Sequence, residues 1–221
     1  MLNIYEKCTE EKEEIDTYVN MLKQIKELPD EHKLRGITKH ILFFKTLVQY
    51  EDEKYYKNFM IYDMLMLMHS LTQNSKRNFY NTYRSLIENF LRYTLDLDDD
   101  DSTGVRNLFK LFRERFSSEI SDDIINFIEG EYSNCSDFVH SNKRANISVK
   151  QYYDEILKLD DMNENELKKM ISKLVTFFKK IVIFMIYTSS EIIDGAFFRK
   201  KQKLKFLIGD SNYTLFEENI N

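Results

Sequence analysis

KRNFYNTYRSLIENFLRYTL, residues 76–95, is the stretch whose reading decides the fold. Its apolar residues recur three and four apart, the spacing of a helix with one buried face. With Phe79 as zero and about 100° per residue, Tyr83, Leu86, Ile87, Phe90 and Thr94 fall within about 80° of it. Arg84, Arg77 and Glu88 fall at about 140°, 160° and 180°, on the boundary of the buried face. Ser75 stands where an N-cap hydroxyl is wanted, and the acidic loop LDLDDDDSTG ends the helix.

The same pattern continues on either side. Residues 4–27 place Ile15, Val19, Leu22 and Ile25 on one helical stripe that ends at Pro29 and Asp30, and residues 35–50 repeat it. Residues 51–71 are nearly apolar, with Met64, Met66 and Met68, and read as a buried core helix in which methionine fills irregular space. Short helices are expected at 105–117 and 121–132, followed by a polar connector, SNCSDFVHSNKRANIS, whose Ser, Asn and Asp side chains favour a non-helical path. A long helix at 163–190 carries Leu167, Met170, Ile171, Leu174, Phe177 and Phe178 on one face. The tail holds the basic run RKKQKLK at 199–205, read as a solvated end or an RNA-backbone contact.

Composition excludes the alternatives. Five glycines and one proline in 221 residues leave too few turn residues for a sandwich or barrel and argue against a doubly wound α/β fold, so one all-α domain over residues 1–221 is expected. The longest apolar run, Ile181 to Tyr187, is far below the roughly 20 residues of a bilayer span, so no membrane partner is expected. The acidic start MLNIYEKCTEEKEE does not read as a secretory leader, and the distant pair Cys8 and Cys135 suits a reducing cytoplasm. A net charge of −5 argues against indiscriminate coating of nucleic acid but leaves room for a locally basic site.

Taken alone, Arg84 and Glu88 are a pair one helical turn apart worth about 0.2–0.5 kcal/mol, and Arg115 and Glu119 repeat the spacing. Their context, YRSLIENFLRY followed by His140 in FIEGEYSNCSDFVHSN, resembles the HEPN superfamily of small all-helical ribonucleases and toxins, in its anticodon-nuclease-like Arg-Glu-His branch. The resemblance covers roughly residues 60–145. It implies a HEPN-like helical bundle, with a core over roughly 50–190 and additional N- and C-terminal helices. It further implies a homodimer with its sites near a shared cleft, RNA such as tRNA as substrate, and a toxin or phage-defence role with an antitoxin or defence-system partner. The family's arginine, glutamate and histidine fall on Arg84, Glu88 and His140, and Arg77, Lys143 and Arg144 are candidate phosphate contacts. The commoner HEPN pattern, Arg followed by four to six residues and then His, is met only by Arg35 and His40 in RGITKH, where Gly36 departs from it.

The three residue types suit metal-independent RNA cleavage. Attack by the 2′-hydroxyl needs a base for its proton, an acid for the 5′-oxygen and positive charge on the phosphoryl oxygens. Histidine titrates near neutrality, arginine presents a fork matched to phosphate, and Glu88 can act as base or hold its partners in place. No cofactor or metal is called for. Asp101 and Asn107 depart from a calcium loop over the aspartate run 96–101, which reads as a solvated loop. His69 reads as a boundary histidine with a partner and His32 as solvent-facing. The alternative to a nuclease is a non-catalytic helical interaction protein, an inactive HEPN relative acting as antitoxin or scaffold, with the methionine-rich and N-terminal helices as docking surfaces.

Overall fold

Bulky apolar residues at helical spacing must be covered on large faces, and the computed structural model, which describes residues 8–139 and 148–220, does this with helices alone. Among the described residues there are eleven helices and no strand: α1 Thr9–Ile25, α2 Glu31–Tyr50, α3 Tyr55–Thr72, α4 Lys76–Leu95, α5 Val105–Phe116, α6 Asp122–Val139, α7 Val149–Asp160, α8 Glu164–Thr188, α9 Ser190–Ala196, α10 Lys201–Ile208 and α11 Asp210–Ile220. The protein is all-α, and the buried apolar side chains among the described residues form one connected cluster. No described helix is long and apolar enough to cross a membrane.

Two helices make the centre. On α2, Leu34, Ile37, Phe43, Phe44 and Leu47 have no exposed surface and point to several sides, and the helix packs on α1, α3, α8, α9 and α10. Along α8, Phe184 meets Phe90 of α4 and Phe112 and Phe116 of α5 at ring-centre distances of 5.5, 5.0 and 4.9 Å. Such aromatic contacts add about 0.5–1.5 kcal/mol each beyond their buried area. Caps mark the boundaries: the Ser75 hydroxyl accepts from the Asn78 amide at 3.1 Å, and Asn163 with Glu166 closes a reciprocal box at the start of α8.

Helix α4 is flanked by α3 on one side and by α6 on the other, with α8 beneath. Helices α4 and α6 run antiparallel, since Arg84 meets Tyr132 while Tyr80, one turn earlier, stacks on Phe138 at 4.5 Å. The first residues of the expected connector are therefore helix, and the rest of it, 140–147, lies outside the described residues. Ser133 to Val139 continue α6, because Ile128, Glu131 and Cys135 bury one face at helical spacing and Phe138 finds Tyr80. Tertiary packing outweighs the backbone-bonding tendency of Ser, Asn and Asp.

Helix α3 differs from expectation in the opposite sense. Met60, Met64, Leu67 and Met68 lie in the core, but Tyr55, Phe59 and Tyr62 are more than half exposed, so the helix is not covered all round. The basic tail is also not a solvated end. Within α10, Leu204 and Leu207 are buried, while Lys201, Lys203 and Lys205 pair with Asp194, Glu11 and Asp210. The pair Lys203–Glu11, at 2.9 Å, ties the last quarter of the chain to α1.

Candidate functional site

Ser75 starts α4 and the packing of Phe79, Tyr83, Leu86, Ile87 and Phe90 fixes its rotation, which leaves Arg84 and Glu88 at the edge of the buried face as the helical spacing predicts. Their side chains retain 30% and 29% of their exposure, enough to reach a ligand while partly withdrawn from water. Arg84 Nε lies 3.2 Å from Glu88 Oε1. The hydroxyl of Tyr132, from α6, accepts from Arg84 Nε at 2.8 Å and donates to Glu88 Oε1 at 2.9 Å, closing a triangle of guanidinium, phenol and carboxylate. The guanidinium also stands 5.3 Å from the centre of the Tyr132 ring, which Phe109 of α5 braces edge-on at 5.4 Å.

The electrostatics follow from this arrangement. Partial burial works against the Arg84 charge, but the Tyr132 hydroxyl and the Glu88 carboxylate outweigh it, and its proton is held more tightly than usual. Burial, with the Glu88 carboxylate beside it, pushes the Tyr132 phenol above the ordinary tyrosine range while Arg84 pulls the other way. The phenol therefore stays protonated and relays a hydrogen bond from cation to anion.

Behind the triangle, α3 contributes a buried carboxylate. Asp63 Oδ2 accepts from Ser85 Oγ at 2.6 Å and from Asn89 Nδ2 at 2.8 Å, fixing α4 against α3 on the side next to Glu88. Burial raises its affinity for a proton, the two donors oppose that, and the charge of Glu88 adds to it. On the other side of α4, Lys173 pairs at 2.9 Å with Glu131, the neighbour of Tyr132. Cys135, fully buried one turn on, has its thiol pushed up to about 12 by that burial.

Of the sequence candidates, Arg84 and Glu88 are brought together, and Arg77 lies exposed in the first turn of α4, about 10 Å before Arg84 along the axis and about 20° from it around the helix. Its side chain has no ion-pair partner among the described residues. His140, Lys143 and Arg144 lie outside the described residues. The described part of α6 ends at Val139, one residue past the Phe138 that packs on Tyr80 of α4. The second arrangement, Arg35 with His40, is not assembled. Arg35 is engaged by Glu31 and Asp16, while His40 is buried against Phe178 with ring centres 6.3 Å apart.

The remaining candidates are structural. His69 contacts Thr72 and Gln73, and His32 is exposed. In the aspartate run, Asp96 and Asp98 pair with Lys54, and Asp101 pairs with Arg92 at 2.8 Å, so the loop braces neighbouring helices. No group of three histidine, cysteine or acidic side chains among the described residues is placed to hold a metal ion.

Tyr132 is the residue that sequence reasoning misses. It is one of fourteen tyrosines, and the relation that matters is a contact across 48 positions between two helices. Compared with protein-family models, with curated proteins and with solved structures, the chain matches none.

Proposed function

We propose that the chain is a metal-independent endoribonuclease of HEPN type, a toxin or phage-defence effector that cleaves RNA such as tRNA and works as a homodimer. The observation that carries the reading is the triangle of Arg84, Glu88 and Tyr132, a proton-handling and phosphate-matching group held partly exposed on two packed helices. Substrate enters with its phosphate at Arg84, displacing part of the contact with Glu88, and Arg77 holds a neighbouring phosphate. The 2′-oxygen attacks phosphorus as its proton passes to a base, and the bond from phosphorus to the 5′-oxygen breaks as that oxygen takes a proton from an acid. The products are a 2′,3′-cyclic phosphate and a 5′-hydroxyl. His140 serves as acid or base, Glu88 assists or orients, Arg84 stabilises the charge on the phosphoryl oxygens, and Tyr132 positions both members of the α4 pair. Lys143 and Arg144 supply further phosphate contacts, and the activity is restrained by an antitoxin or another defence-system protein.

The test is incubation of the purified protein with total tRNA in EDTA, with the new ends mapped. Cleavage to 2′,3′-cyclic phosphate is expected, abolished in Arg84→Ala, Glu88→Ala and His140→Ala and slowed about tenfold or more in Tyr132→Phe through misplacement of the pair. A strict requirement for magnesium, or intact RNA under all conditions, overturns the reading.

A second reading, a non-catalytic helical interaction protein, is favoured by the exposed Tyr55, Phe59 and Tyr62 on α3. Expression of wild type beside His140→Ala separates the two. Equal growth of both strains, together with intact RNA, supports the interaction protein.

A further inference from the structure

Helices α1 and α3 both lie on α2, and between them runs a groove of about 790 Å³. Its floor is Ile41 and Leu42 of α2, and its walls carry Met21 of α1 with Ile61 and Leu65 of α3. Leu65 is 37% and Met21 57% exposed, so apolar surface faces water along the groove. The Tyr18 hydroxyl donates to the Leu65 carbonyl at 3.2 Å, which ties α1 to α3 beside the groove.

The charges around this apolar floor are unequal. The α1 wall presents Glu10, Glu13 and Glu14, and of these only Glu14 has a cation, Lys45 at 2.6 Å. Glu10 and Glu13 have no cationic partner among the described residues, and the α1 N-terminus helps only the first of them. On the α3 side Asn58, which lines the groove, donates to Glu53 at 3.3 Å. Carboxylates thus stand along the α1 side of an apolar trough open to solvent, and the α3 side carries no cation among its lining residues.

We propose that this groove is the docking site for an amphipathic helix of a protein partner, with apolar anchors on one face and lysine or arginine on its flanks. A helix laid between two helices on a third reads its site through anchors at i, i+4 and i+7, about 10 Å from end to end. The flanking cations answer Glu10 and Glu13, which steers encounter and sets which flank of the helix meets α1. An acidic helix meets uncompensated like charge and is rejected. The groove shares no lining residue with the triangle of Arg84, Glu88 and Tyr132, so the proposal stands or falls apart from the nuclease reading.

The test uses the full chain and a fluorescein-labelled, amidated peptide of four turns, with leucine on one face and lysine on its flanks, followed by fluorescence anisotropy at physiological salt. Micromolar binding is expected, weakened about tenfold or more by Leu65→Glu and by Met21→Glu, and about threefold by Glu10→Gln with Glu13→Gln. Both apolar positions are exposed, so the substitutions are expected to leave the fold intact, with circular dichroism of each variant as the check. Removal of acids elsewhere, Asp98→Asn with Asp100→Asn, leaves binding unchanged. Equal binding of a peptide with glutamate in place of lysine, or wild-type affinity in both apolar variants, overturns the proposal. So does a dimer in sedimentation that Leu65→Glu dissolves, because the groove then belongs to a second copy of this chain.

Discussion

His40 makes the stability of the protein depend on pH in a way that can be worked out in advance. The ring lies in the core against Phe178, its Nδ1 has no hydrogen-bond partner, and burial, with the charges of Lys179 and Lys39, lowers its pKa from 6.5 to about 4. A proton therefore binds the unfolded chain more readily than the folded one between these values, and stability present in full above pH 6.5 is lost as the pH falls toward 4. Linkage gives a loss of about 1.4 kcal/mol at pH 5.5 and about 2.5 kcal/mol at pH 4.5. For a chain of this size the second figure is a fall in Tm of about 5–10 °C.

The perturbation is His40→Leu, which keeps an apolar side chain of similar bulk and removes the titrating ring. At pH 7 the variant is expected to equal or exceed wild type, since an unpaired buried nitrogen has been removed. At pH 4.5 it is expected to exceed wild type by a further 2.5 kcal/mol or so, because only wild type carries the linkage term. Urea unfolding at matched pH values measures the gap, and titration of other groups cancels in the difference. A gap that stays constant from pH 7 to pH 4.5 refutes the assignment of His40 as a neutral core residue.

Two further predictions concern the surroundings of the site. Asp63 holds its proton to higher pH than it does in the unfolded chain, so the folded state is penalised as the pH rises through that range. Asp63→Asn, whose amide oxygen can accept from Ser85 and Asn89, is expected to be at least as stable as wild type at pH 7, with the advantage vanishing near pH 3 in the same urea measurement. Phe184→Ala removes a ring packed on Phe90, Phe112 and Phe116 and is expected to lose about 3–5 kcal/mol, read as a lowered urea midpoint at unchanged slope.

Much of α4 is legible in the sequence, because its information is local. A hydroxyl at the N-cap, an apolar stripe three and four apart and an acidic stop place Lys76–Leu95 and its buried face, and with them the boundary positions of Arg84 and Glu88. What escapes is set by partners distant in sequence. Ser133 to Val139 carry the residues of a loop, yet Cys135 and Phe138 turn them into helix by packing. Tyr55, Phe59 and Tyr62 have the composition of a core but face outward, since hydrophobicity alone does not say which side of an apolar helix will be covered. The lysines of α10 read as a solvated run until the carboxylates opposite them are known. Arg35 and His40 have the spacing of a motif, but their helix sends one to the surface and the other into the core.

The position of α2 bears on how the chain is made. It leaves the ribosome well before three of its coats, α8, α9 and α10. At ordinary elongation rates that interval is on the order of ten seconds or more, during which Phe43, Phe44 and Leu47 have for shelter the earlier helices, α1 and α3 with Phe90 of α4 against Phe44. The clasp between Lys203 and Glu11 spans the widest sequence separation of any ion pair among the described residues, and its closure carries the largest loop entropy. Maturation of this protein is thus a race between late helices reaching an early one and sticky nascent chains finding each other, and slowing translation after residue 160 should tip it toward aggregation.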